Sequence, residues 1–225
     1  MPHDRYYLDG ALEGIVTLQG EELFHLTRVM RKRKGDHIEL LNGRGLLAEA
    51  EVVDLSKDAG ILRILKSQVV PPLLPPLVLI QALPKLAHLE WIFQKGTELG
   101  VSQFFVFPSD RSEKDLLSPN QTRRLNQILI GAMKQCGRAD LPSFEWGFPE
   151  CGYPLFFGDL SSQAPALSKV ATLPAALLIG PEKGWSDRER KEFESKGQAV
   201  RLAPYTLRTE TAAIAALSSL VGSHL

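Results

Sequence analysis

A uniformly apolar run, a glycine-containing loop and a helix start follow one another near residue 180, and this order constrains the fold most. Ala175–Ile179 is apolar throughout, Gly180-Pro-Glu-Lys-Gly184 follows it, and Ser186-x-x-Glu189 has the capping-box pattern. A capping box places its serine at the N-cap of a helix, and fully apolar runs are typical of strands buried on both faces. The segment therefore predicts a buried strand, a tight loop and a helix that begins after Ser186.

Strand-like and helix-like segments alternate from residue 77 onward. Between the first two apolar runs, apolar residues recur at helical spacing up to Gly100, where a C-cap glycine belongs. Ser118-Pro119 indicates another helix start, and Thr209 is interpreted as the N-cap of an apolar helix. This alternation predicts an α/β fold with a mainly parallel sheet. The predicted strands are Leu77–Gln81, Val101–Phe107, Ala175–Ile179 and Ala199–Leu202.

The residues before position 71 show a different, β-rich pattern. Ile38–Leu41 and Leu46–Val53 flank the turn-forming Asn42–Gly45, which predicts a β-hairpin. Ile61–Leu65 is another predicted strand, and Glu21–Met30 is a predicted short helix. This part of the chain is therefore interpreted as a small β module.

Pro71–Pro76 contains four prolines in six residues and separates the two patterns. Such a segment continues neither a helix nor a central strand and favours an extended link. We expect a β domain at 1–70, a linker at 71–76 and an α/β domain at 77–225. A surface loop within a single domain is the alternative.

Composition limits the classes of protein to consider. The hydrophobic fraction of 44% permits a sizeable core, and the 26 basic residues balance the 26 acidic ones, so binding to nucleic acid would require local clustering of charge. The sequence lacks an apolar run of about 18 residues and an apolar N-terminal signal core, so no membrane partner is expected. The two cysteines, Cys136 and Cys151, form no CxxC pair, which favours a reduced, cytoplasmic protein without a structural metal.

Two loops follow predicted strand ends, where parallel α/β sheets bind their ligands. In the first loop, Gly180 and Gly184 allow close approach of a ligand to the backbone, although a purely structural turn is the alternative. The pattern is neither a Walker A loop nor GxGxxG, so ordinary phosphate cradles are not supported. In the second loop, Arg208 precedes a helix, where a cation opposes the macrodipole and therefore suggests an anionic partner.

Both loops resemble signature segments of the RsmE-type ribosomal RNA methyltransferases of the SPOUT superfamily. Gly180-Pro-Glu-Lys-Gly-Trp-Ser186 is similar to GPEGGFS, and Leu207-Arg-Thr-Glu-Thr-Ala212 is similar to the family's LR-x-ETA. Lys183, Ala203, Tyr205 and Thr206 differ from the usual family residues. Further segments agree in order along most of the chain: Arg5-Tyr-Tyr7, His25–Arg31, Gly35-Asp36, Leu83-Pro-Lys85, Gln94–Val101, Arg111-Ser112 and Gln135–Arg138.

The resemblance implies an S-adenosylmethionine-dependent enzyme that methylates N3 of a uridine in small-subunit (16S) ribosomal RNA. It also implies a PUA-like N-terminal β-barrel, a C-terminal α/β domain with a deep trefoil knot, and a homodimer. For the cofactor, it points to backbone and loop positions in both signature segments. These are Leu178, Ile179, Gly180, Pro181, Glu182, Gly184, Leu202, Ala203, Leu207, Thr211 and Ala212.

Methylation at N3 requires that its proton is removed or that the developing uracil anion is stabilised. Arg138 or Arg208 is a candidate to stabilise the anion, and Glu210 to accept the proton or to orient an arginine. A structural role for Glu210 in the first helical turn is the alternative.

Arg28, Arg31, Lys32, Arg33 and Lys34 place five positive charges within seven residues. A solvated surface loop is the simplest interpretation, but the position on a PUA-like module favours RNA binding. Arg5 and Arg111 are further candidates for contact with RNA. Two other functions stay open: a SPOUT enzyme with a different RNA target, and a catalytically silent RNA-binding or ribosome-assembly factor.

Overall fold

The computed structural model describes residues 5–150 and 152–224. The N-terminal residues before Arg5, which entered the argument against a signal segment, and Cys151 therefore lie outside the described residues. Cys136 is an exposed free thiol. Contacts divide the chain into two units, one formed by the residues up to Pro72 with Ile130–Leu141, the other by Leu73–Leu129 with Pro142–Leu225.

The first unit contains a five-stranded sheet in the order β1-β3-β4-β5-β2. The predicted hairpin is confirmed, because β3 and β4 pair antiparallel on either side of Asn42–Gly45. Two register shifts in the β4–β5 ladder, at Glu49/Ala50 and Val52/Asp54, are irregularities of the kind that bend and twist a strand pair. The strands are β1 (Arg5–Tyr7), β2 (Ile15–Leu18), β3 (His37–Leu41), β4 (Leu46–Leu55) and β5 (Gly60–Val69).

One face of this sheet covers a core that includes Tyr6, Leu40 and Leu62, all fully buried. The predicted helix at Glu21–Met30 is present as α1 (Gly20–Phe24), continued by a π-helical segment (His25–Val29). Leu23 and Leu26 bring this helical stretch onto the core.

The second unit contains a six-stranded sheet in the order β11-β9-β10-β6-β7-β8. Every pairing between neighbouring strands is parallel, which confirms the predicted sheet type. β6 and β10 are buried along their whole length, as the apolar runs Leu77–Ile80 and Ala175–Ile179 predict, and Gln81 is the buried polar residue of β6. The strands are β6 (Leu77–Ala82), β7 (Gln103–Phe107), β8 (Ser143–Trp146), β9 (Leu155–Gly158), β10 (Ala175–Ile179) and β11 (Gln198–Val200).

Helices join these strands, and several of their predicted ends are confirmed. Ser186 and Glu189 form the reciprocal capping box, Gly100 has the positive φ of +89° expected after a helix end, and the Ser118 hydroxyl accepts the N–H of Gln121 over 3.3 Å. The helices are α2 (Leu86–Glu98), α3 (Pro119–Cys136), α4 (Leu167–Val170), α5 (Asp187–Lys196) and α6 (Thr209–Gly222).

The structure corrects the sequence-based expectations at two points. β1, β2, β8, β9 and α4 were not predicted, although β9 lies inside the sheet between β10 and β11. The assignment of Thr209 as N-cap is wrong: Arg208 is the N-cap without a side-chain capping bond, and Thr209 is the first helical residue. The trefoil knot stays a prediction. No helix within the described residues has the length and apolar character needed to cross a membrane.

Candidate functional site

A cleft of about 410 Å³ opens at the carboxyl ends of three neighbouring strands of the second unit. β9, β10 and β11 run parallel, so the segments that follow them emerge at the same edge of the sheet. The walls come mainly from residues 158–162, 179–187 and 201–207, with Thr209 and Ala212 from α6. The volume lies within the range of small-molecule sites in proteins.

Most of the predicted cofactor positions lie together around this cleft. Leu178 is fully buried in β10 and Thr211 is exposed on α6, so neither lines the wall. The predicted positions that do line it are Ile179, Gly180, Pro181, Glu182, Gly184, Leu202, Ala203, Leu207 and Ala212.

Thr209 joins the two predicted loops beneath the cleft. Its hydroxyl donates to the carbonyl oxygen of Gly180 over 2.6 Å and accepts the Gln81 side-chain amide over 3.1 Å. The same amide approaches the carbonyl oxygens of Ile179 and Gly180, each at 3.3 Å. Because Gln81 and Thr209 are buried, these bonds form in a dry environment where a lost partner is costly. They hold the end of β10 against the start of α6.

The first loop requires small residues at two positions for different reasons. Gly184 has φ of +67°, a left-handed conformation that favours glycine. At Gly180, a Cβ atom would lie 3.2 Å from the indole of Trp185. That indole N–H donates to the carbonyl oxygen of Gly158 over 3.1 Å, so Trp185 connects the first loop to the end of β9.

Arg111, expected among the RNA-binding residues, lies on the wall of the cleft. Its guanidinium donates to the carbonyl oxygen of Lys183 over 3.0 Å. Lys183 replaces a family glycine, and it is exposed on the wall of the cleft. The bulkier residue is therefore accommodated without burial.

Sequence reasoning missed the β9 segment of the wall. Asp159, with only 3% of its side chain exposed, accepts Arg190 over 2.7 Å and the backbone N–H of Ser161 over 2.6 Å. Leu160 next to it is 76% exposed. No local motif identifies this loop, because its partner Arg190 lies on α5.

The start of α5 is anchored by Asp110, which follows β7. Asp110 accepts Arg188 over 2.6 Å and the Ser186 hydroxyl over 2.5 Å. These hydrogen bonds, that from Arg188 first, lower the pKa of the Asp110 carboxyl. The Asp110 N–H in turn donates to Glu189 over 2.9 Å, so the loop after β7 joins the capping box.

Two glutamates of the predicted loops meet at a histidine that the sequence did not single out. His88 Nδ1 lies 2.8 Å from Glu182 Oε1 and 3.6 Å from Glu210 Oε2. The backbone N–H of Lys85 also donates to Glu182 over 3.0 Å. Burial raises the pKa of Glu182, but the N–H groups of Lys85 and Glu182 itself, together with His88, outweigh it and leave that pKa lowered.

The three candidate catalytic residues have different surroundings. Arg208 is exposed at the start of α6, and its guanidinium forms no ion pair with any residue that the structure describes. Glu210 contacts His88 rather than the cleft wall. Arg138 belongs to the first unit and pairs with Asp140 over 2.5 Å, with 15% of its side chain exposed.

The basic segment Arg28–Lys34 lies on the first unit, and most of its side chains are exposed, whereas Lys32 is half-buried. Arg31 has φ of +53°, a left-handed conformation that is uncommon for a residue other than glycine. Arg5, in contrast, is 18% exposed and pairs with Glu39 over 2.8 Å. Arg5 thus has a structural partner in Glu39. Within the described residues, no cluster of His, Cys, Asp and Glu side chains has the arrangement of a metal site.

Comparison with protein families matches both parts of the chain. An RNA methyltransferase domain model matches residues 72–147 and 157–221, and an RNA methyltransferase PUA domain model matches residues 18–65. Ribosomal RNA small subunit methyltransferase E of Bacillus subtilis (strain 168) is 33% identical, over 91% of this chain and 88% of that protein. The chain belongs to the ribosomal RNA small subunit methyltransferase E family.

Solved structures agree with this family over nearly the whole chain. The Neisseria gonorrhoeae methyltransferase E, bound to S-adenosyl methionine, is 27% identical with a TM-score of 0.84, covering 96% of this chain and 95% of that one. A Legionella pneumophila protein in complex with bound SAM is 28% identical with a TM-score of 0.89, covering 97% of each chain. The Neisseria gonorrhoeae methyltransferase E thus has the same fold as this chain in both parts.

Proposed function

We propose that this protein transfers a methyl group from S-adenosylmethionine to N3 of a uridine in small-subunit (16S) ribosomal RNA. Membership of the methyltransferase E family carries the proposal, together with the cleft at the ends of β9, β10 and β11. The target atom, N3 of a uridine, follows from the sequence resemblance of the two signature loops.

The cleft suits a nucleoside-containing cofactor in its size and in the backbone it presents. Among the described residues, 202–207 form no backbone hydrogen bond outside helices and strands. Their N–H and C=O groups, except the missing N–H of Pro204, are therefore free to read the edge of an adenine. Gly180 and Gly184 add bare backbone to the wall of the cleft.

When bound, S-adenosylmethionine supplies a methyl group attached to a positively charged sulfur. The uridine N3–H bond breaks, its proton passes to a base, and N3 forms a bond to the methyl carbon as the sulfur–methyl bond breaks. The protein must align N3 with the methyl carbon and stabilise the anionic uracil. An unpaired or extruded uridine is required, since a paired N3 is not accessible.

Arg208 is our candidate for stabilising the uracil anion. Its cation opposes the dipole of α6 and forms no ion pair in the described part of the chain, so an anionic ligand would complement it. Glu210 is better supported as a positioning residue, because its carboxylate faces His88. A role of Glu210 as base and a role of Arg138 at the anion stay predictions.

The basic segment Arg28–Lys34 is our candidate for binding RNA phosphates. It lies within the part of the chain that matches the PUA domain model, and most of its side chains are exposed. In a chain of zero net charge, such a cluster provides a local attraction for RNA.

We also propose a homodimer that works in the cytoplasm, where small ribosomal subunits would be its partner. Exposed apolar side chains beside the cleft support self-association, since Leu160 and Tyr205 are 76% and 82% exposed. Sedimentation at micromolar concentration should give a dimer, and a monomer would contradict this part of the proposal.

The decisive experiment is methyl transfer to small subunits isolated from cells that lack this modification. Labelled methyl groups should appear in 16S RNA, and nuclease mapping with mass spectrometry should locate them on N3 of a single uridine. A methylated product at another atom or base would favour a SPOUT enzyme with a different target. Calorimetry that detects no binding of S-adenosylmethionine would favour a catalytically silent RNA-binding factor.

A further inference from the structure

His88 connects both halves of the cofactor site, although it lies in neither signature loop. It stands in the first turn of α2, while Glu182 belongs to the loop after β10 and Glu210 to the first turn of α6. The imidazole Nδ1 is within hydrogen-bond distance of Glu182, at 2.8 Å. An ionised carboxylate only accepts, so Nδ1 carries the proton and donates it to Glu182.

Glu210 depends on His88 in a different way. Its Oε2 atom is buried and has no hydrogen-bond partner in the described residues. The 3.6 Å to His88 Nδ1 is too long for a hydrogen bond but short enough for an ion pair. The positive charge of a protonated imidazole therefore compensates Glu210, whereas a neutral imidazole leaves this buried oxygen without compensation.

The position of His88 in its own helix does not favour its charge. A cation in the first turn of α2 is opposed by the helix dipole. The carboxylate of Glu182 already accepts the Lys85 N–H at this end of the helix. The titratable side chains that pair with His88 among the described residues are those two glutamates. Both carboxylates lie within 3.6 Å of the same imidazole nitrogen, and neighbouring carboxylates repel one another unless a cation lies between them.

We propose that protonated His88 is a positioning residue that holds the loop of Glu182 and the start of α6 together, and so shapes the cleft for S-adenosylmethionine. This inference rests on the proposed function. Thr209 forms another link between the two loops, and that link does not titrate. Cofactor affinity should therefore decline as His88 loses its proton, while the fold persists.

The test compares three variants by calorimetry with S-adenosylmethionine between about pH 6 and about pH 8.5. His88→Lys keeps a positive charge, His88→Gln removes it, and His37→Gln is the matched control, since His37 pairs with Glu49 in the first unit. We expect wild type and His37→Gln to lose affinity about fivefold or more as pH rises. His88→Gln should bind about fivefold more weakly already at acidic pH, and His88→Lys should lose least at alkaline pH.

The cofactor's own amino group titrates equally in every variant, so the decisive quantity is the difference between His88→Lys and wild type. Identical pH profiles for wild type, His88→Lys and His88→Gln would overturn the inference and leave the proposed function standing. A wild type that binds no S-adenosylmethionine would overturn both.

Denaturant unfolding without cofactor provides a second measurement. A double-mutant cycle between His88→Gln and Glu210→Gln should show favourable coupling at acidic pH that disappears at alkaline pH. Additive effects at both pH values would overturn the ion-pair basis of the inference, whatever the cofactor measurements show.

Discussion

The Thr209 hydroxyl donates to the carbonyl oxygen of Gly180 over 2.6 Å and thereby joins the start of α6 to the end of β10. Replacement by valine keeps the shape of the side chain but removes both hydrogen bonds of the hydroxyl. Since the site is buried, Thr209→Val should lower the free energy of unfolding by about 1–3 kcal/mol, and it should also weaken cofactor binding. Denaturant titration checks this, with exposed Thr211→Val as a stability control that changes little. Equal unfolding free energies for the two variants would contradict the proposed importance of the link.

Gly184 and Gly131 should respond to alanine in opposite directions. At neither site does a heavy atom lie within 4 Å of the position that a Cβ atom would take, so sterics do not distinguish them. Gly184 has φ of +67°, and alanine there should cost about 1 kcal/mol of unfolding free energy. Gly131 lies inside α3, where alanine should add about 0.5–1 kcal/mol. Thermal unfolding of both variants gives the sign of each change in stability directly. A change of the same sign at both sites would refute the conformational explanation.

Arg31 allows charge and backbone conformation to be separated. Arg31→Ala and Arg31→Gly both remove the cation, but only glycine relaxes the left-handed φ of +53°. Both variants should lose RNA affinity equally and reduce the slope of log K against log salt by about 1. Arg31→Gly should nevertheless be more stable than Arg31→Ala, by about 0.5–1 kcal/mol. Filter binding at several salt concentrations measures the slope, and an unchanged slope would exclude contact between Arg31 and phosphate.

Glu182 should contribute to stability only while it is ionised. Its folded-state pKa is lowered, so the contribution is present above the ordinary glutamate pKa and is lost as pH falls through the folded value. The difference in unfolding free energy between wild type and Glu182→Gln should be below about 1 kcal/mol at neutral pH and should vanish in acid. Urea titrations along a pH series measure it, with exposed Glu13→Gln as control. A difference that persists unchanged in acid would contradict the ionised state.

Arg208→Gln should separate chemistry from cofactor binding. The guanidinium is exposed, so its loss should leave the fold and the affinity for S-adenosylmethionine nearly unchanged. If it stabilises the uracil anion, methyl transfer should fall about 100-fold. Single-turnover kinetics with small subunits measures the rate. In the same assay, a wild-type rate for Glu210→Gln would eliminate a role of Glu210 as base. A normal rate for Arg208→Gln would remove Arg208 from the reaction.

Local patterns predicted the elements that carry their own signals. The capping box at Ser186, the glycine after α2 and the apolar run of β10 each depend on residues close together in sequence, and all three are confirmed. Thr209 was misassigned because threonine is a good N-cap, yet here its hydroxyl is engaged by Gly180 instead of by its own helix. A tertiary hydrogen bond thus outweighed a local preference.

The missed features depend on contacts across long stretches of chain. β9 is only four residues long, so it is too short for periodicity to reveal, and its parallel partners lie later in the sequence. His88 contacts Glu182, which lies 94 residues later in the sequence, and Glu210, which lies later still. Because these partners are so distant in sequence, no local motif identifies His88. The cleft walls formed by the two signature loops were therefore predictable from the sequence, whereas the wall formed by the segment after β9 was not.

The cleft draws its walls from β9, β10 and β11 and is closed by the start of α6, the helix nearest the C-terminal end of this chain. An intermediate in which α6 is still undocked lacks the part of the wall that Thr209 and Ala212 supply. A small molecule that binds there stabilises only the finished unit, and it does so in proportion to the logarithm of its concentration once the site is nearly saturated. Bound methyl donor should therefore slow any proteolysis that proceeds through the unfolded state, so that cofactor supply affects the amount of folded enzyme as well as its turnover.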